Sequence, residues 1–239
     1  SIPKSEPSDM FGLLTQDEIM NFIKAGGPDG KGPRYHELSV DEIQQEVQHF
    51  VDAAKRAKAS NFDAIEIHAG HGYLISSFLS PAVNKRTDEY GGTTEKRARI
   101  LVEIISEIKN QIEDFPILVR LDANEYRIEN GITPADFLIT ASMAQEAGAD
   151  AIDVSAYGNT SKGIAFTEAP LVHEPGGFLD FVKMAKKELT IPIIAVGRIE
   201  LDEAEKGLKN NEFDFLAMGR KVLADPGLPN KIISGQEHL

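Results

Sequence analysis

The stretch Glu66-Ile67-His68-Ala69-Gly70-His71-Gly72-Tyr73-Leu74 brings two imidazoles and a phenol within six residues. Imidazoles, neutral or protonated, donate hydrogen bonds, and a phenol is protonated at neutral pH and can act as donor or acid. His68, His71 and Tyr73 therefore form a set able to polarise a carbonyl or nitro oxygen and to deliver a proton. Two plainer readings stand beside this one: histidines satisfied within a folded interior, and a pair three residues apart ligating a metal. Arg120, inside the apolar run Ile117-Leu118-Val119-Arg120-Leu121, is charged where a strand is otherwise apolar. Its plainest reading is an internal salt bridge to Glu66.

The elements that must position these groups follow from periodicity. From residue 39 onward, amphipathic helical stretches alternate with short β-branched runs, the rhythm of parallel strands joined by crossover helices, so the fold class is α/β. Ser39 with Glu42 announces a helix carrying Ile43, Val47, Phe50, Val51 and Ala54 on one face, with Leu38 and Ile43 placed as a hydrophobic staple. A second stripe, Ile100, Leu101, Ile104, Ile105 and Ile108, follows the caps Thr93 and Thr94; a third helix opens at Thr133-Pro134 and stops before Gly148. Two more helices are expected near 177–189 and 201–210.

Between them lie five strand candidates: Phe62–His68, Ile117–Leu121, Ala151–Ser155, Pro192–Val196 and Phe213–Met218. Alternation puts Ile65, Ile67, Val119 and Leu121 under helices and leaves Glu66, His68 and Arg120 on the opposite face, where charge in a parallel sheet points to a site. A doubly wound sheet would carry a glycine-rich phosphate turn after its first strand, and no G-x-G-x-x-G occurs, so a barrel is the preferred architecture. Residues 1–36, with Gly26, Gly27, Gly30, Gly32, Pro28 and Pro33, read as a long loop with one short helix capped by Thr15 and Glu18. Neither an internal repeat nor a dividing linker is evident, and residues 1–239 read as one domain.

Composition narrows the function classes. With 41% hydrophobic and 26% charged residues, the 239-residue chain can bury a substantial core. Acidic residues outnumber basic ones 38 to 25, for a net charge of −13, which disfavours nucleic acid and anionic membrane as partners and favours a small-molecule substrate. There is no cysteine, hence no thiolate nucleophile, disulfide or cysteine-ligated metal in this sequence. No apolar run approaches a membrane span of roughly 20 residues, and the polar start resembles no signal peptide; the expectation is a cytoplasmic protein.

Phe78-Leu79-Ser80-Pro81, Asn84, Arg86, Asp88, Tyr90-Gly91-Gly92, Glu95 and Arg97 follow the histidine strand in an order and spacing that resemble the signature of the Old Yellow Enzyme family. Val119-Arg120-Leu121, Asp153-Val154-Ser155, Ile194-Ala195-Val196-Gly197 and Met218-Gly219-Arg220 are similar to that family's later strands. Ala224-Asp225-Pro226 and Leu228-Pro229-Asn230-Lys231 extend the resemblance, which runs from about residue 36 to 232.

The resemblance implies a (β/α)8 TIM barrel of the FMN oxidoreductase type, with strands 4 to 8 in residues 37–239 and residues 1–36 forming the loop after strand 3. It implies FMN as cofactor, NADH or NADPH as electron donor, and reduction of an activated C=C bond. His68 and His71 would bind the electron-withdrawing oxygen, hydride from reduced FMN would reach the β-carbon, and Tyr73 would protonate the α-carbon. Arg120 would lie beside the flavin's N1 and O2, and Gly197 with Gly219-Arg220 would hold the phosphate, as barrels often do after strands 7 and 8. Arg198 departs from the glycine or small residue common there, and would either crowd the phosphate or reinforce it.

The first three strands of the family have no counterpart in the sequence, about 100 residues at about 30 per strand-helix unit. Five strands leave two sheet edges and apolar surface to be covered by a further N-terminal segment or another copy. The lack of cysteine argues against the subgroup of the family with an iron-sulfur cluster and extra nucleotide domains downstream of the barrel. Dihydroorotate dehydrogenases and dihydrouridine synthases share similar phosphate ends, but the His68, His71, Tyr73 group argues against both. A catalytically silent remnant of such an enzyme is the reading from another class.

Overall fold

A computed structural model describes residues 36–159, 165–167 and 175–236. The short helix expected within residues 1–36 lies outside the described residues. The chain divides after Glu42 into Ser1–Glu42 and Ile43–Leu239.

In the first unit, the described residues open helix α1, Val40–Ala59, with the expected capping box. The N–H and hydroxyl of Ser39 donate to Glu42 Oε2 at 2.7 and 2.9 Å, and the Glu42 N–H donates to Ser39 Oγ at 3.3 Å. With an imidazole nitrogen of His36 also 3.1 Å away, the Glu42 carboxyl is held down at about 2, chiefly by the Ser39 N–H.

In the second unit, strand β1 (Ile65–Ala69) is followed by a short helix α2 (Leu74–Leu79), helix α3 (Thr94–Gln111) and strand β2 (Ile117–Tyr126). Helix α4 (Pro134–Glu146), strand β3 (Ala151–Asn159) and strand β4 (Ala165–Thr167) come next. The chain continues through α5 (Leu179–Glu188), β5 (Ile193–Ala195), α6 (Leu201–Lys209), β6 (Phe215–Leu216), α7 (Arg220–Ala224) and α8 (Leu228–Ile233). Strands order as β1-β2-β3-β5-β6, all parallel, and β4 pairs antiparallel with β3. The five expected strands are thus neighbours in chain order, and within the described residues β1 and β6 end the sheet. Phe62 at 64% and Phe215 at 56% exposure stand near those edges, in keeping with the apolar surface that the sequence leads one to expect.

Caps account for the helix positions. Thr93 accepts from the Lys96 N–H to open α3, and Thr133 forms a capping box with Asp136 ahead of Pro134 in α4. The stripe Ile100, Leu101, Ile104, Ile105, Ile108 is completely buried, as are Ile43 and Val51 of α1, whereas Phe50 is only half-buried. Each such side chain removed from water contributes roughly 1.5–3 kcal/mol.

The strand lengths differ from expectation. β2 runs on to Tyr126, because an irregularity between Asp122 and Glu125 lets pairing resume, Glu125 with Tyr157 and Tyr126 with Gly158. β5 and β6 are shorter than expected, and β4 and α2 have no strand or helix signal in the sequence.

Two strand entrances are pinned alike. Asp150, just before β3, accepts the N–H of Ile117 at the start of β2 at 2.7 Å and pairs with Lys109 of α3 at 2.6 Å. Asp214, just before β6, accepts the N–H of Ile193 at the start of β5 at 2.8 Å and pairs with Lys186 of α5 at 2.6 Å. No repeat in the sequence marks this equivalence.

The two faces of the sheet separate by register. Ala69, Leu121, Val154 and Ala195 form one rung, at most 1% exposed. The adjacent rung, on the opposite face, is His68, Arg120, Asp153 and Ile194, and Asp122 and Ser155 pair one rung further on that face.

Candidate active site

The site is built where β1 ends. Gly70 admits the carboxyl of Asp122 against its backbone: a Cβ there would lie 2.8 Å from Asp122 Oδ1. The next residue, His71, turns the chain with φ of +60°, a left-handed conformation that costs a side-chain-bearing residue energy. Its N–H donates to Asp122 Oδ2 at 2.5 Å, which holds the turn. Tyr73 follows at the N-cap position of α2 with its ring exposed.

This turn gathers the three groups read from the sequence. The ring centroid of His68 is 4.8 Å from that of His71 and 5.2 Å from that of Tyr73. His71 Nδ1 faces His68 Nε2 at 3.2 Å, and on its other side His71 Nε2 meets Ser155 Oγ at 2.7 Å. Burial lowers the pKa of both imidazoles, with the Arg120 charge adding to the effect, and His71 is brought to about 3. Both rings are therefore neutral at neutral pH, each with one N–H to donate and one nitrogen to accept.

Arg120 reaches the same face from β2. Its ion-pair partner is Asp153 of β3, with Nη1 3.3 Å from Oδ2, and not Glu66, which is exposed on β1. The pairing follows from register, since Asp153 lies directly across from Arg120. Burial nevertheless outweighs the guanidinium and raises the Asp153 carboxyl to about 6. Asp122, fully buried, is raised to about 7 for the same first reason, with the His71 N–H opposing.

Four atoms in this patch are buried without a hydrogen-bond partner among the described residues: His68 Nδ1, Arg120 Nε, Asp122 Oδ1 and Asp153 Oδ1. Each such atom costs roughly 1–3 kcal/mol, so their concentration on one face marks a place where stability has been given up. Among the described residues, no three His, Cys, Asp or Glu side chains are placed to hold a metal ion, so the metal reading of the histidine pair finds no third ligand there. No helix among the described residues is long and apolar enough to cross a membrane.

The four remaining candidates lie at the exits of β5 and β6. Gly197 (φ +109°) and Arg198 (φ +49°) make the turn after β5, and Gly219 caps α7, which begins with Arg220. The strands are adjacent, the Ala217 N–H donating to Ala195 O at 2.8 Å, and Lys221 Nζ reaches Glu200 Oε2 at 2.6 Å across the two exits. Arg198 and Arg220 are both exposed. The two guanidinium groups thus stand at exits of neighbouring strands, while His68, His71 and Tyr73 stand at the exit of β1.

Sequence reading missed Asp122, and took Asp153 and Ser155 only as parts of a strand. The signal that would have found them is parity: all three fall on the face of Arg120 by the strand period of two.

Residues 7–238 match the NADH:flavin oxidoreductase / NADH oxidase family. The chain is 41% identical to an NADH oxidase of Thermoanaerobacter brockii over 214 residues, 87% of this chain and 32% of that protein. It is likewise 41% identical to an NADPH dehydrogenase of Bacillus pumilus over 194 residues, 81% of this chain and 55% of the relative. It therefore spans about a third to about half of these relatives. Among solved structures, a 2-naphthoyl-CoA reductase in complex with 2-naphthoyl-CoA superposes with a TM-score of 0.77 at 33% identity, over 84% of this chain and 31% of the other.

Proposed function

The chain belongs to the NADH:flavin oxidoreductase / NADH oxidase family, and from that premise we propose that its parent protein is an FMN-dependent oxidoreductase. It takes electrons from NADH or NADPH and reduces an activated C=C bond of an α,β-unsaturated carbonyl or a similar substrate. The observation that carries this reading is the cluster of His68, His71 and Tyr73, with ring centroids 4.8 and 5.2 Å apart, beside a strand that presents Arg120 on the same face. In this reading β1, β2, β3, β5 and β6 are the fourth to eighth strands of a barrel, and residues 1–36 are the loop after the third.

The residues present fit FMN at two ends. Arg120 Nε is a buried donor without an acceptor among the described residues, and the carbonyl edge of a flavin would supply one. A fixed cation there also favours the negative charge of a reduced flavin. Arg198 and Arg220, exposed beside Gly197 and Gly219, suit a phosphate, which arginine binds through paired N–H donors.

When bound, FMN supplies the hydride that adds to the β-carbon. His68 and His71 hold the substrate's oxygen and stabilise the charge that develops there, which neutral imidazoles do by donating hydrogen bonds. Tyr73, exposed at the mouth of the turn, holds the proton for the α-carbon. The same polarisation serves a C=C bond conjugated to any strongly withdrawing oxygen, so the class of substrate follows from the donors and not from a shaped pocket.

The reading is tested by loading the protein with FMN, removing the excess by gel filtration, and following an α,β-unsaturated carbonyl with NADH or NADPH under anaerobic conditions. A retained flavin band with stoichiometric loss of the conjugated carbonyl is expected. Retained flavin that is reduced by the nucleotide but never passes electrons to the alkene would sink the substrate assignment.

A further inference from the structure

We propose that Ser155 is a positioning residue for His71: its hydroxyl donates a hydrogen bond to Nε2, which keeps the imidazole's own proton on Nδ1, the nitrogen facing His68. The inference rests on the reading above that His71 holds the substrate's oxygen, and it supplies what that role lacks, a reason for a neutral ring to present a donor on the correct side.

The argument is one of proton accounting in a buried place. Ser155 is 1% exposed, and among the described residues its hydroxyl has one hydrogen-bond partner, His71 Nε2 at 2.7 Å. If Nε2 carried the imidazole proton and donated it to Ser155 Oγ, the hydroxyl proton would have no acceptor, at the cost of an unsatisfied buried donor. If Nε2 is bare, serine donates to it and both groups are satisfied. Nδ1 then bears the proton on the side of His68 Nε2, 3.2 Å away, where a substrate oxygen would accept it in place of that nitrogen. This fixes the tautomer by the hydrogen bond at the other nitrogen.

The competing influence is Asp122, whose Oδ1 is 3.4 Å from the same Nε2 and has no hydrogen-bond partner. A carboxylate there would draw the proton to Nε2. The serine contact is shorter by 0.7 Å, 3.4 less 2.7. Burial also holds the Asp122 carboxyl toward its protonated form, raising it to about 7, which weakens its pull on a proton at Nε2. The shorter serine contact then sets the tautomer.

The test is a long-range proton–nitrogen correlation spectrum of the protein labelled with 15N-histidine, with His71 assigned by its loss in His71→Gln. The expected result is a protonated Nδ1 and a bare Nε2 in the parent. In Ser155→Ala the Nε2-protonated form should grow to at least a tenth of the population, and Ser155→Thr, which keeps the hydroxyl, should restore the parent pattern. A proton on Nε2 in the parent, or an unchanged tautomer in Ser155→Ala, overturns the proposal. The readout needs neither flavin nor alkene. The expected tautomer in a protein that does not reduce alkenes would therefore strike the proposed function alone, and alkene turnover with the opposite tautomer would strike only this inference.

Discussion

Asp153 faces Arg120 from the neighbouring strand, its Oδ2 3.3 Å from Nη1, and this pair sits in the same rung as His68. The carboxyl is nearly inaccessible, with 3% side-chain exposure against 28% for the arginine, so the arginine is the group able to serve a ligand while still neutralising its partner.

Removing the guanidinium should therefore cost stability as well as flavin. Arg120→Met leaves Asp153 buried without its counter-charge, a loss of about 2–3 kcal/mol, less than for a wholly buried pair. Asp153→Asn in the same chain should recover most of that loss without recovering FMN affinity. Urea denaturation of the two single variants and the double variant checks the coupling; additive losses would mean that the pair is not energetically joined.

Tyr73→Phe should slow the half-reaction with alkene by about 100-fold or more, the usual contribution of a positioned acid. Reduction of the flavin by the nucleotide should stay within about twofold. Rapid-mixing absorbance of each half-reaction separates the two, and equal slowing of both would refute the role of proton donor.

Asp122 ties stability to pH. Its folded-state pKa, about 7, lies above the ordinary 3.8. The folded protein thus holds a proton that the unfolded chain has lost, and the contribution is fully present below about pH 4 and is lost as pH rises to about 7. His71 runs the other way: lowered to about 3, it costs stability as pH falls below 6.5. Asp122→Asn keeps an acceptor for the His71 N–H and removes only the first dependence. Its gain over the parent in urea denaturation should be larger at pH 8 than at pH 5 by on the order of 2–3 kcal/mol. Equal gains at the two values would show that the carboxyl titrates normally.

At the strand entrances, Asp150→Ala and Asp214→Ala should each cost about 1–3 kcal/mol, because each leaves the N–H of a buried isoleucine, Ile117 or Ile193, without its acceptor. Thermal unfolding measures the loss, and alkene turnover of the surviving folded protein should be unchanged. A stable Asp214→Ala would mean that solvent replaces the carboxylate.

What could be read in the sequence was what acts locally. Ser39 with Glu42, Thr93, and Thr133 with Pro134 and Asp136 cap helices through residues three apart, and His68, His71 and Tyr73 meet because one turn joins them. Ser155 was hidden because its partner His71 is 84 residues away, and Asp122 because it is 51 residues from the N–H that it accepts. The extension of β2 was hidden for a different reason: Asp122-Ala123-Asn124-Glu125 breaks the apolar alternation, and its pairing shifts register there. The helix α2 begins at the end of the histidine turn with Leu74-Ile75-Ser76-Ser77, too short and too rich in serine to show a helical period.

The carboxylate clamps at Asp150 and Asp214 fasten strands at their beginnings, whereas His68, His71, Tyr73, Gly197 and Gly219 all lie at strand ends. If the proposed function holds, keeping the framework together and handling the substrate are entrusted to different parts of the same strands. A lineage carrying this arrangement can exchange the residues around the bound molecule, and with them the compounds it accepts, while drawing little on the reserve that keeps it folded.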